Sequence, residues 1–155
     1  MADNDLSQSD RKRQERLSVL ALSDEASLTA AFTMLGEDPP HQLVRGPETG
    51  LISLRGRIGG GGSAFNFGDC TVTRATVKLH DGSVGTSLIL GRSREKARLI
   101  ALIDALAQDP VRAGVIDKTI TEPLTQQFEA RETKRKEEVQ ATKVDFFTLV
   151  RGEDE

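Results

Sequence analysis

The sequence predicts an α+β fold in which helices pack on an antiparallel sheet, and three observations carry that expectation. Apolar and polar residues alternate through the middle of the chain, at Ile52 and Leu54 and again at Ala75, Val77 and Leu79, the period of a half-buried strand. Helical spacing flanks this region, with Leu28, Ala31, Phe32 and Leu35 before it and Leu99, Ile100, Leu102, Ile103 and Leu106 after it. Between two of the alternating runs stands Asp81-Gly82, a strong hairpin-turn dipeptide.

Taken in order, residues 1–8 read as a polar tail and residues 9–36 as a helical hairpin. Ser9 is placed to cap a helix running to about Leu22, with Leu17, Leu20 and Ala21 on one face. Ser23 is placed to cap the second helix, whose first turn carries Asp24 and Glu25 at the positive end of the helix dipole. Gly36 suits the position after the helix, and "EDPP" stops it. Residues 41–90 form the sheet. There "HQLVRGPETGLISLRGRI" reads as two short extended runs separated by a turn at "GPETG". Ile52, Leu54 and Ile58 share one face and Ser53, Arg55 and Arg57 the other. Further on, Arg74, Thr76 and Lys78 oppose Ala75, Val77 and Leu79, and "VGTSLIL" returns. Arginines of neighbouring strands are therefore expected to gather on one polar sheet face.

Residues 93–142 are helical. Ser93 caps the most apolar helix, Asp109-Pro110 ends it, and its broad stripe should pack on the sheet. A long polar helix is expected from Thr121 to about Thr142, with Pro123 tolerated in its first turn. Leu124, Phe128 and Val139 alone interrupt its charges, so it is either solvated or bridges to another molecule. "KVDFFTLVRG" has strand composition, and residues 143–151 are read as a terminal strand. The 155 residues make one domain with no internal repeat.

Composition narrows the function classes. The 21 basic and 24 acidic residues leave a net charge of −3, with no global attraction to nucleic acid or an anionic membrane. Trp and Tyr are absent, which starves a base-stacking platform. One cysteine rules out an intrachain disulfide. The polar start and the lack of any long apolar run point to a cytoplasmic protein.

The run "RIGGGGSAFNFGD" raises the question of a phosphate cradle. A P-loop needs Lys and Ser or Thr after its last glycine, and Gly62 is followed by Ser-Ala-Phe. A dinucleotide fingerprint must open a helix, whereas this run leads into a strand. Two readings stay open. One is a flexible loop between strands, with Phe65 and Phe67 alternating back into the sheet. The other is a backbone nest around an anion, helped by Arg55, Arg57 or Arg74. Gly91-Arg92 at a helix start could likewise meet an anion, against the simpler reading of a capped helix with an exposed arginine. Cys70 and His80 would stand about 33 Å apart along one strand, too far to act as a pair. With His41 as the remaining histidine, no metal-ligand spacing exists. No nucleophile, base and orienting group assemble from spacing.

The motifs "PETGL", "RGRIGGGGSAFNFGD", "TVTRATVKLHDGSVG", "LGR", "ALIDAL" and "VDFFTLVRGE", in that order, resemble the PhnG family of the bacterial carbon–phosphorus lyase system, over roughly residues 11–153. The resemblance implies an accessory subunit, not catalytic alone, that works with PhnH, PhnI and PhnL. Together such proteins displace adenine from MgATP by methylphosphonate, giving ribose 1-methylphosphonate 5-triphosphate, and PhnG also joins PhnH, PhnI and PhnJ in a symmetric hetero-oligomer. No cofactor is expected on this chain by itself, and no catalytic or metal-binding residue is carried over. Candidate anion or substrate contacts are Arg55, Arg57, Gly59, Gly60, Gly62, Asn66, Arg74 and Arg92. Candidate interface residues are Phe128, Val139, Phe146, Phe147 and Arg151. The alternative, from another class, is a stand-alone enzyme that uses the arginines and the glycine loop on a phosphorylated ligand.

Overall fold

The computed structural model describes residues 7–57 and 62–141. Helix α1 (Gln8–Leu22) starts two residues earlier than Ser9 implies, because Ser7 is the cap. The Ser7 hydroxyl accepts from the Asp10 N–H at 3.2 Å and donates to the Asp10 carboxylate at 2.7 Å, a reciprocal pair Ser9 cannot make there. Helix α2 (Glu25–Leu35) is capped by Asp24 and not by Ser23. Asp24 Oδ1 accepts from the Ser27 N–H at 2.8 Å, while the Ser23 hydroxyl donates to the Leu20 carbonyl and closes α1. Gly36, at φ 69°, ends α2 in the left-handed region.

Three strands follow, β1 (His41–Gly56), β2 (Phe65–Leu79) and β3 (Val84–Leu90), antiparallel throughout and ordered β1-β2-β3. The expected turn at "GPETG" does not form. Instead the register shifts between Leu43 and Arg45 and again between Arg45 and Glu48, so the segment is absorbed as bulges in one long strand. β1 is an edge strand, where Pro47 can lose its N–H without breaking a second ladder. The Asp81-Gly82 turn forms as expected, with Asp81 Oδ1 accepting from the Ser83 N–H at 2.8 Å and Gly82 at φ 92°.

Helix α3 (Arg94–Leu106) is the centre of the molecule. Its sequence "ARLIALIDAL" is apolar nearly all round, and every residue from Leu99 to Leu106 is buried. It therefore packs against more than the sheet. Val77, Leu79 and Ile89 meet it from one side, and Leu20, Leu28, Phe32 and Ile120 close the core from the other. The helix lies so close to β3 that Gly85 is a steric necessity: a Cβ there would sit 2.0 Å from the Ala101 carbonyl oxygen and 2.2 Å from the Ala105 nitrogen. Next along β3, Ser87 donates to the Ala97 carbonyl at 2.7 Å.

The sole acid within this core, Asp104, is buried and fully used. It accepts two bonds from Arg13, at 2.9 and 2.7 Å, and one from the Thr86 N–H at 2.9 Å. The pair thus caps the outer edge of β3 with a charge from α1, one way to blunt an exposed strand edge. Lys96 of α3 donates to the Ala21 carbonyl at 2.7 Å and the Ser23 carbonyl at 2.5 Å. Burial lowers its ammonium pKa, and the negative end of α1 holds the charge there.

Asp109-Pro110 ends α3 but begins a new helix, capped by Asp109. Helix α4 (Pro110–Ile116) passes through a π turn (Asp117–Thr121) into α5 (Glu122–Ala141). The long helix thus starts at Glu122, one residue after the expected Thr121 and with Pro123 in its first turn, and it continues without a break from α4 through the π turn. Pro123 explains the π turn, since proline offers no N–H and its ring crowds the carbonyl four residues back. The wider turn also brings Asp117 to Arg16, which donates to it twice at 2.7 and 2.9 Å. The expected terminal strand, residues 143–151, lies outside the described residues.

Two predictions test this account. Gly85→Ala should destabilise the fold by about 3 kcal/mol, because backbone atoms of α3 must give way. Gly68→Ala, with open space at its Cβ, should cost about 1 kcal/mol or less; urea unfolding of both variants checks the difference. Asp117 is held below its ordinary 3.8, first by the hydrogen bond from Arg16. A carboxylate with a depressed folded pKa stabilises above the unfolded value, and that stability is lost as pH falls through the folded one. Asp117→Asn should cost about 2 kcal/mol at neutral pH, discounted from a fully buried pair because Asp117 is 35% exposed. The gap to the parent should narrow as pH drops below about 4, read from urea midpoints in an acid series.

Candidate functional site

The strand register decides which candidate residues meet. Glu48 lies opposite Arg74, and alternation along the regular stretch of β1 puts Gly50, Ile52 and Leu54 on that same outer face. Arg55 therefore falls on the opposite face, paired with Asn66 across a bulge at Phe67. The arginines do not gather as expected. The residue that joins Arg74 is Arg45, brought round by the bulges near Gly46 and Pro47. Both guanidiniums bond one carboxylate oxygen of Glu48, Arg74 at 2.5 Å and Arg45 at 3.2 Å. With an internal acid seated between them, the two arginines form an ion cluster in the middle of the face and not a vacant clamp.

The remaining anion candidates form two further groups. Arg55, Arg57, Gly62 and Asn66 stand together at the end of the β1–β2 hairpin, all exposed to solvent. Gly56 pairs with Phe65 at the last rung of the β1–β2 ladder; Gly59 and Gly60 lie outside the described residues. Eight residues of strand separate Asn66 from Arg74, about 26 Å, so one small anion cannot reach both. Arg92 sits exposed where β3 turns into α3, behind Gly91 at φ 95°. At that helix start Ser93 accepts from the Lys96 N–H and donates to the Glu25 carboxylate at 2.6 Å. A carboxylate of the same chain thus stands at the α3 N-terminus.

Antiparallel pairing of β1 and β2 also brings the two histidines together, which spacing in the sequence did not reveal. His41 pairs with Leu79, next to His80, and with Gln42 and Lys78 they line a groove of about 290 Å³. The ends of two strands joined by a hairpin always meet, and that was the available signal. His41 is not free to act as a base. Its Nδ1 lies 2.9 Å from the Pro39 carbonyl and its Nε2 3.2 Å from Arg98. Among the described residues no three metal-binding side chains cluster. Cys70 is half-buried in β2, and no base is seated against it among the described hydrogen bonds.

What sets the surface apart is apolar. On β3 the pattern is inverted, with Gly85, Ser87 and Ile89 facing the core and Val84, Leu88 and Leu90 facing out. Leu88 is 57% exposed and Leu90 71%. Pairing aligns Leu90 with Val72 and Gly50, and the next rows carry Cys70 with Ile52, then Gly68 with Leu54. On the hairpin side of the Arg45–Glu48–Arg74 cluster the outer face is thus apolar, whereas beyond the cluster it carries Thr76, Thr86, Lys78 and Gln42. On the hairpin's other side Leu51 is 70% exposed. At its end Phe65 and Phe67 meet edge to face at 6.4 Å, with Phe67 folded over Gly56. An antiparallel sheet facing water normally alternates to polar on its outer side. This one does so at Arg74, Thr76 and Lys78 but carries Leu88, Leu90, Ile52 and Leu54 toward the hairpin, and grouped exposed apolar residues of that kind mark a candidate interaction surface.

Two of the interface candidates lie on α5. Phe128 and Val139 are exposed and eleven residues apart, so they share one helix face about 16 Å from each other. Phe146, Phe147 and Arg151 lie outside the described residues. Beside the ion cluster, Arg45, Arg74, Thr76 and Thr86 line a cleft of about 440 Å³.

A family model described as "Phosphonate metabolism protein PhnG" matches residues 11–152. The chain is also 43% identical over 143 residues, 92% of its own length and 91% of the relative's, to a protein of Rhizobium meliloti (strain 1021). That relative is named "Alpha-D-ribose 1-methylphosphonate 5-triphosphate synthase subunit PhnG". With the match spanning both α1 and the sheet-to-α5 region, the chain belongs to the PhnG family.

Proposed function

We propose that this protein is an accessory subunit of a cytoplasmic carbon–phosphorus lyase assembly. In it, PhnI, PhnH and PhnL homologues transfer the ribose 5-triphosphate group of MgATP to methylphosphonate and release adenine. The observation that carries the reading is the outward-facing apolar set of Leu88, Leu90, Ile52 and Leu54 beside the Arg45–Glu48–Arg74 cluster. Apolar surface beside a hydrogen-bonded ion cluster is how a docking face excludes water while fixing orientation. The relative's name makes it a subunit of a synthase, and this chain has the surface a subunit needs. A PhnI homologue is the proposed occupant of the face, and a PhnJ homologue joins the same hetero-oligomer.

Chemistry belongs to the partners in this reading. The transfer brings phosphonate and triphosphate charges together, and arginine forks are suited to that task. Arg55, Arg57 and Asn66, displayed at the end of the hairpin, are the groups this chain can deliver to a partner's substrate, with Gly59, Gly60 and Gly62 as further candidates. Arg74 and Arg92 act closer to the sheet, Arg74 in orienting the docked partner through its ion cluster.

Two outcomes are expected. The isolated chain should release no adenine from MgATP and methylphosphonate, while a mixture of PhnH, PhnI and PhnL homologues should need it for turnover. Adenine production by the chain alone, or full turnover without it, contradicts the proposal. The double substitution Leu88→Ser with Leu90→Ser should weaken association with the PhnI homologue at least about tenfold, or about 1.4 kcal/mol. Its thermal midpoint should stay at the parent value, since both side chains already face solvent. Gel filtration beside a melting curve separates docking from folding.

A further inference from the structure

We propose that the cleft beside the Arg45–Glu48–Arg74 cluster is a binding site for a phosphorylated small molecule, a dianionic phosphoryl group carried on a compact organic group. The strand rows bring its polar residues together. Arg45 pairs with Thr76 of β2, Thr76 pairs with Thr86 of β3, and Arg74 and Lys78 flank Thr76 on the same outer face. Glu48 engages the two guanidiniums at one corner each. Arg74 donates to it from Nε, and Nε is likewise the Arg45 atom paired with it. Among the described residues, the terminal nitrogens of both arginines, the hydroxyls of Thr76 and Thr86 and the Lys78 ammonium make no hydrogen bond. Both arginines line the cleft, and Glu48 does not. The carboxylate therefore fills the space between the inner nitrogens and leaves the terminal forks to a second acceptor.

The donor set selects the ligand. Arg45, Arg74 and Lys78 meet one acid, Glu48, so this end of the face keeps a positive charge. No acidic residue lines the cleft among the described residues. Two guanidinium forks and two hydroxyls exceed what the two oxygens of a carboxylate can accept, whereas a phosphoryl group offers three strongly accepting oxygens. The remaining lining is largely apolar, with Leu17 of α1 and Leu88 of β3 at the surface and Ile100 of α3 buried beneath. A volume of about 440 Å³ suits a small organic ligand held by a few polar groups over an apolar lining. Bare phosphate leaves that lining uncovered, and an organic group against Leu17 and Leu88 covers it. Of the outward apolar set only Leu88 reaches the cleft, since Ile52, Leu54 and Leu90 lie across the cluster toward the hairpin. Binding is therefore a property of the chain by itself and does not rest on a docked partner.

The full-length chain is titrated with phenyl phosphate and, separately, with inorganic phosphate, while amide and methyl NMR shifts are followed. Phenyl phosphate should give saturable shifts centred on Thr76, Thr86 and Leu88, with a Kd at least about tenfold below that of inorganic phosphate. Thr86→Val removes a hydroxyl at constant charge and should weaken phenyl phosphate at least about threefold. Arg45→Lys keeps the charge without the fork and should weaken it at least about tenfold. Lys136→Ala, which removes an exposed cation of α5, should bind as the parent does. Thermal midpoints equal to the parent's show that each variant is folded. Absence of saturable shifts overturns the proposal, and so do shifts centred on Arg57 and Asn66, which place the anion at the hairpin end. Parent affinity in both Thr86→Val and Arg45→Lys, or an equal loss in Lys136→Ala, reduces the binding to general attraction by surface cations and overturns it as well. Equal affinity for the two anions overturns the assigned ligand class.

Discussion

Everything in this molecule is arranged around one helix that has no solvent side. Helix α3 is buried from Leu99 to Leu106, and about 1.5–3 kcal/mol is at stake for each large side chain removed from water. Such a helix must be enclosed, so the sheet takes one flank and α1, α2 and the π turn take the other. The closeness of that packing then dictates the chemistry of β3. Where α3 comes closest to the strand only glycine fits, at Gly85, and with that parity turned inward Val84, Leu88 and Leu90 face outward while Ile89 joins the core. The apolar outer face and the tight core are two consequences of one contact.

The charged groups within the fold serve the same enclosure. Asp104 sits inside the helix that must be dry, an expensive position for a carboxylate unless three donors meet it. Two come from Arg13 and one from the backbone of Thr86. The result fastens α1 across the edge of β3, and Arg16 with Asp117 repeats the device at the π turn. Lys96 does the converse, bringing a cation to the end of α1. These pairs hold the helical layer in register over a core that is otherwise non-directional. They occupy the acids and bases that a reader of the sequence would inspect for catalysis.

Much of the fold was legible. Strand alternation at Ala75, Val77 and Leu79, the Asp81-Gly82 turn, the Ser93 cap and the Gly36 stop all appear where local chemistry places them. Legibility failed where tertiary pairing overrides a local signal. "GPETG" has turn composition, yet a long partner strand pulls it straight and takes up the surplus as bulges. Those bulges change the parity of β1, so the side facing of Arg45 and Arg55 could not be read by counting. Pro123 does sit in the first turn of α5, but the π turn before it has no distinct spelling in the sequence. The candidate surface was hidden for a related reason. "VGTSLIL" alternates equally well either way up, and which parity is buried depends on α3 needing Gly85 beneath it.

That last ambiguity bears on how the protein works. A strand whose leucines face out is a poor choice for a chain that stays alone, since solvated apolar area brings no stability and promotes association. It is a sound choice for a chain whose outer face is completed by another subunit. The Arg45–Glu48–Arg74 cluster strengthens this reading, because ion pairs contribute little at an exposed surface and more once neighbouring apolar groups shut out water. A docked partner would supply that cover and fix the angle of the hairpin, whose end carries Arg55, Arg57 and Asn66 well away from the core. In such an arrangement rigidity belongs to the α3-centred body and reach belongs to the arm.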